Sequence, residues 1–219
     1  LASSSLLKKP DDRHFAAMSK DQVGPFLRAM VKSGTQDVTR VALVLMLYTG
    51  LRDFALRAAK WDEIDLETGT WVVPAERMKS GRVHTIPLPI QAVEMLTILA
   101  AQTRTKPNAY VFASRGKAGY LAENTLRVRL HALGFEVTAH GFRSLMTDLL
   151  NEQGFNADAI ERQLDHIERN KVRAAYLRSD FIEYRRTMMQ WLADWADAQR
   201  KKTAVPQLPS NVVPLRQVA

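Results

Sequence analysis

Thr138-Ala139-His140-Gly141-Phe142-Arg143 is the stretch on which the reading of this chain turns. Thr138 is a good N-cap for a helix running to Gln153, with Gly154 just beyond it. His140 and Arg143 then stand at i, i+3, so both side chains lie on one face of the first turns. Exposed backbone N–H groups and the positive end of the helix dipole also gather there, and together they favour an anion. Asn156 caps a further helix predicted through Leu164.

Upstream of that stretch, Ser19 is the N-cap of a helix predicted to about Lys32. Asp37 caps a second, in which Val41, Leu45 and Tyr48 share a face until Gly50 ends it. Arg52 thus follows a helix terminus. From Trp61 to Pro87 the character changes. Ile64-Asp65-Leu66, Thr70-Trp71-Val72-Val73 and Val83-His84-Thr85-Ile86 read as short strands, with Glu67-Thr68-Gly69 and Lys79-Ser80-Gly81 as turns. Lys79 is then at a hairpin tip. A helix from about Pro89 to Ala101, a strand or extended piece at Tyr110-Val111-Phe112, and a helix from Ala122 to Ala132 closed by Gly134 complete the approach.

Downstream, the last helix is predicted from about Phe181 to Gln199. It carries Phe181, Tyr184, Met188, Trp191 and Trp195 along one stripe, as intrachain core or as a surface for a partner. The tail after Lys202 holds three prolines and no periodicity, the composition of a disordered segment. The fold class that follows is α+β and mostly α-helical, with a small antiparallel three-stranded sheet. Residues 1–17 read as a leader or linker from a missing upstream segment, 18–199 as the folded domain and 200–219 as the tail.

Composition narrows the partners. The 219 residues include 31 Lys+Arg against 23 Asp+Glu, a formal net charge of +8, which attracts polyanions. The chain has no cysteine, which excludes disulfides and thiol catalysis. Its longest strongly apolar run, Val41 to Tyr48, falls far short of the ~20 residues needed to cross a bilayer. A cytoplasmic protein is expected. The acidic groups Asp11-Asp12 and Asp62-Glu63-Asp65-Glu67 lack calcium-loop or zinc spacing and read as solvated carboxylates.

Six residues remain as candidates for chemistry: Arg52, Lys79, His140, Arg143, His166 and Tyr176. Taken singly, each has a structural reading: an ion pair for either arginine, a satisfied histidine, an amphipathic packing tyrosine. Jointly they compose a phosphate cage with a phenolic nucleophile. Guanidinium forks bind phosphate oxygens bidentately, and a tyrosinate forms a covalent phosphoester.

Thr49-Gly50-Leu51-Arg52, the hairpin Lys79, His140-Gly141-Phe142-Arg143, His166, and Tyr176 within Arg173-Ala174-Ala175-Tyr176-Leu177-Arg178 resemble the tyrosine recombinases of the phage-integrase type. Ala75-Glu76-Arg77-Met78-Lys79, Glu123-Asn124-Thr125-Leu126 and Ile160-Glu161-Arg162-Gln163-Leu164 are similar to the integrases of bacterial prophages and genomic islands. The similarity runs from about Arg13 to Trp195.

The resemblance implies the catalytic domain of a site-specific recombinase acting on double-stranded DNA as a homo-tetramer, free of metal, cofactor and ATP. It also allows exchange of the terminal helix between protomers and a directionality factor as a further partner. Tyr176 would attack the scissile phosphate, Arg52 and Arg143 would clamp its oxygens, and His140 would bind it or accept a proton. Lys79 would protonate the leaving oxygen, and His166 would contact a non-bridging oxygen. One position departs from the family pattern: the acidic residue usual three places after the first arginine is Ala55, with Asp53 as a nearby substitute. That departure favours a second reading, a DNA-binding regulatory module of the same fold with impaired catalysis. A metal-dependent nuclease and a tyrosine-type topoisomerase are further alternatives.

Overall fold

A computed structural model describes residues 17–31, 37–166 and 180–212. Helix α1 (Lys20–Val31) begins after Ser19, whose N–H donates to Gln22 Oε1. Helix α2 (Val38–Thr49) starts at Asp37, whose carboxylate accepts from the Thr39 N–H at 3.0 Å. Every residue from Val41 to Thr49 is buried, so α2 is apolar all round and forms the centre of the domain. Around it stand α1, α4 (Ile90–Thr103), α5 (Thr125–Ala132), α6 (Ala139–Glu152) and the terminal helix α8 (Ile182–Lys201).

Strands β1 (Ile64–Asp65), β2 (Thr70–Val73) and β3 (His84–Pro87) form one antiparallel sheet in sequential order, with Trp71 opposite Ile64 and Ile86. The fold class read from the sequence is the one observed. Strand β3 also contacts α8, which ties the sheet to the helical body. The extended piece at Tyr110 is a single bridge to Lys60.

Helices α1 and α8 approach closely at Gly24. A Cβ there would stand 2.6 Å from the Gln199 carbonyl oxygen, closer than packed atoms tolerate. Arg28 finishes the contact by donating to the carbonyls of Gln199 and Arg200. On α8, Met188, Trp191 and Trp195 are buried in this chain's own core.

Two expectations change. Helix α5 begins at Thr125 rather than Ala122, because Leu121 N–H still bonds to Phe112 O and Ala122 opens a turn whose carbonyl accepts from Thr125. Helix α8 continues to Lys201, and the mostly exposed segment 203–212 touches the domain at Pro206, Leu208 and Val212. Trp191 Nε1 donates to Pro206 O, Leu208 packs partly buried against the core and Val212 is buried, while Val205 stays exposed.

Candidate active site

Arg52 occupies the corner between α2 and α3 (Asp53–Arg57). Gly50 makes the corner with φ +65°, and a Cβ there would meet Leu164 Cδ2 and Met146 Sδ at 2.8 Å. A left-handed backbone and the absence of space both call for glycine. Arg52 is one-third exposed, and its Nη1 stands 3.4 Å from Asp165 Oδ2, whose side chain is 9% exposed. Asp53 does not take part in this pair. Its carboxylate accepts from Arg57 Nε at 2.6 Å, and Arg57 goes on to the Leu121 carbonyl.

Helix α6 starts as expected, with Thr138 Oγ1 accepting from the Gly141 N–H. Phe142 is fully buried, 5.3 Å from the ring centroid of Phe26. Burial of such a ring contributes about 2–3 kcal/mol and fixes the helix start against α1. Arg143, next in sequence, therefore turns inward and is 6% exposed. Its guanidinium donates to Gly50 O, to Leu164 O at 2.7 Å and to His166 Nε2 at 3.0 Å. Burial, with repulsion from Arg52, lowers its pKa to about 10, against attraction from Asp165 and Glu161. It remains a cation at neutral pH.

His140 lies exposed one turn before, and its pKa is lowered by desolvation and then by Arg143, Arg52 and His166. Four of the six candidates, Arg52, His140, Arg143 and His166, are thus brought into one electrostatic neighbourhood. His166 is oriented from its other side by Glu161 Oε2, 2.7 Å from Nδ1.

Lys79 is exposed in the connection between β2 and β3. The base of that connection is anchored: Arg77 pairs with Glu63 and donates to the Ala55 carbonyl, and Met78 is buried. Tyr176 lies outside the described residues. Among the described residues no three His, Asp or Glu side chains are grouped to hold a metal ion, and no helix is long and apolar enough to cross a membrane.

Beneath the cluster lies a buried polar network that the sequence did not announce. Helix α7 (Ala157–Gln163) ends at Gln163, which is 1% exposed; its Nε2 donates to Thr49 O at 2.8 Å and its Oε1 accepts from Arg185 Nε at 3.0 Å. Arg185, 0% exposed, also donates to Thr85 O at 2.7 Å, and His84 Nε2 donates to the Gln163 carbonyl at 3.0 Å. The α2 terminus, the sheet, α7 and α8 therefore meet at one amide. One signal was present: Gln163 and Arg185 fall at helical spacing from Ile160 and Met188, so each is a polar residue on an apolar face.

Two guanidiniums with imidazoles beside them, held by carbonyls and carboxylates, present the kind of donors that bind a tetrahedral oxyanion. The fold that carries it is shared with an integrase from mycobacterium phage Brujita, which superposes with a TM-score of 0.59 at 18% identity over 81% of this chain and 59% of that one. The model of the phage integrase family matches residues 16–183, and the chain belongs to that family.

Two similar relatives carry the same kind of name. The prophage integrase IntA of Escherichia coli is 36% identical over 194 residues, 87% of this chain and 46% of the relative. The integrase of Enterobacteria phage P4 is 36% identical over 208 residues, 87% of this chain and 47% of the relative. The chain thus spans about half the length of the curated relatives it matches.

Proposed function

We propose that this chain carries the strand-exchange centre of a site-specific integrase, which cleaves and rejoins duplex DNA in the bacterial cytoplasm through a 3'-phosphotyrosyl intermediate. What supports the reading is the Arg143–His166 bond, with Arg52 and His140 in the same electrostatic neighbourhood, in a chain whose family relatives are named integrases.

Tyr176 attacks the scissile phosphorus through its phenolic oxygen; the P–O bond to the 5' side breaks, and the electron pair leaves on the 5'-oxygen. Lys79, on the exposed β2–β3 connection, delivers the proton that makes this a hydroxyl. The ester is conserved in the Tyr–phosphate bond, and the 5'-hydroxyl of the exchanged strand reverses the step. Arg52 and Arg143 clamp the equatorial oxygens, where a phosphoryl-transfer transition state concentrates charge. A free tyrosine has a pKa of ~10, so the anion is about one molecule in a thousand near neutral pH, a handicap of roughly 4 kcal/mol. A cationic cage reduces that handicap, and His140, with its pKa held down, is neutral at pH 7 and able to accept the phenolic proton.

The partners are double-stranded DNA and, on it, three further copies of the chain, two protomers to each recombining site. The test uses a nicked duplex carrying the junction of the mobile element that encodes the chain. Its cleaved strand loses a short fragment, so the covalent complex accumulates. The expected result is a DNA adduct that survives denaturation in the wild type and is missing from Tyr176→Phe. DNA binding without any adduct in the full-length protein would overturn catalysis and leave a regulatory module.

A further inference from the structure

The position three residues after Arg52 holds Ala55, which is 1% exposed and can give a guanidinium no charge. The nearest acid in sequence, Asp53, is bound to Arg57 at 2.6 Å. The carboxylate that faces Arg52 comes instead from more than a hundred residues downstream. Asp165 Oδ2 stands 3.4 Å from Arg52 Nη1, and its side chain is 9% exposed.

Asp165 is also one of few non-glycine residues with positive φ, +52°. That conformation costs a non-glycine residue roughly 1–2 kcal/mol, and Asp and Asn bear it better than other side chains. The strain falls between two residues of the site. Leu164 accepts from Arg143 through its carbonyl, and His166 bonds the same guanidinium through Nε2. One corner, 164–166, therefore touches both arginines.

Resting on the phosphotyrosyl reading above, we propose that Asp165 is the positioning residue for Arg52, a counterion relocated to the end of α7 in a chain that carries alanine at position 55. A guanidinium has five N–H donors. A carboxylate against Nη1 fixes the plane of the group while other donors stay available to a phosphate. Its negative charge also lies among cations that repel one another, and attraction to Asp165 works against the repulsion that Arg52 exerts on Arg143. Asp165 touches no substrate in this scheme; it acts through Arg52.

The experiment compares wild type, Asp165→Asn and Asp165→Gly on the nicked duplex, reading the single-turnover rate of adduct formation at saturating DNA, the Kd for the same duplex, and Tm. Asn keeps the shape and tolerates positive φ while removing the charge, and Gly removes the group and relaxes the strain. Both variants are expected to lose tenfold or more in rate, with Kd within about twofold of wild type and no loss of folded protein at the assay temperature. A rate equal to wild type in both variants, or a loss that merely follows unfolding or weakened binding, overturns the proposal. A wild type that forms no adduct overturns the phosphotyrosyl reading and this proposal with it. A reactive wild type matched by both variants removes the Asp165 role alone.

Discussion

Arg143 and His166 are bonded to each other: Nη2 of the guanidinium lies 3.0 Å from Nε2 of the imidazole. A guanidinium only donates, so Nε2 accepts, and the ring proton belongs on Nδ1, which faces Glu161 Oε2 at 2.7 Å. Two neighbours thus set the tautomer. In that state His166 has no proton on Nε2 for a phosphate oxygen, and giving one requires the doubly protonated ring. Nitrogen-detected NMR should show the Nδ1–H tautomer for the neutral ring in the wild type. Glu161→Ala should shift part of the population to the Nε2–H form; an unchanged spectrum would contradict the orienting role of Glu161.

Arg143→Lys should reduce adduct formation by about a hundredfold or more, the scale seen when one preorganised donor is removed from an anion site. An ammonium is a point charge and cannot serve Gly50 O, Leu164 O and His166 with a planar fork. Unsatisfied buried carbonyls should also cost about 1–3 kcal/mol, seen as a lower Tm. A lysine variant within tenfold of wild type would show that the fork geometry is not needed.

Gly50→Ala tests the corner that places Arg52. The added methyl meets Leu164 and Met146 on a backbone at φ +65°, so the variant should lose about 2 kcal/mol or more in denaturant unfolding. Its DNA-adduct rate should fall further than the loss of folded protein explains, because Arg52 moves with the corner. Retention of both stability and rate would contradict the steric account.

Much of this was legible because the signals were local. Asp37, Thr138 and Asn156 each satisfy backbone N–H groups of the helix they open, and Gly50 closes its helix in the left-handed conformation, so side-chain chemistry fixes those boundaries wherever the segment lies. The sheet followed from turn residues and alternation. Asp165, Gln163 and Arg185 were not legible as a unit, because their partners are remote: Arg52, Thr49 and Thr85 are separated from them by 113, 114 and 100 positions. Periodicity reports which face of a helix is buried, not which carbonyl waits there. The packing of residues 203–212 was hidden for a similar reason, since Leu208 and Val212 gain burial only against a surface assembled from distant segments.

His84 should make the domain sensitive to mild acid. The residue is 5% exposed, and burial, then repulsion from Arg185, lower its pKa from 6.5 to about 4. The unfolded chain takes up the proton below about 6.5, whereas the folded chain resists until about 4, so protons favour unfolding within that window. The neutral-imidazole contribution is complete above pH 6.5 and lost as pH falls to about 4. His84→Gln, which keeps a donor toward the Gln163 carbonyl, should flatten the fall in unfolding free energy between those limits. The same slope in wild type and variant would remove His84 as its source.

The central claim is a covalent bond between DNA and Tyr176, and peptide mapping of the adduct tests it most directly. The full-length protein is trapped on the nicked duplex, digested, and the DNA-linked peptide sequenced by mass spectrometry. The account predicts one modified peptide containing Arg173-Ala174-Ala175-Tyr176, with the 3'-phosphate on the phenolic oxygen. A linkage at any other residue, or an adduct that still forms in Tyr176→Phe, would contradict it.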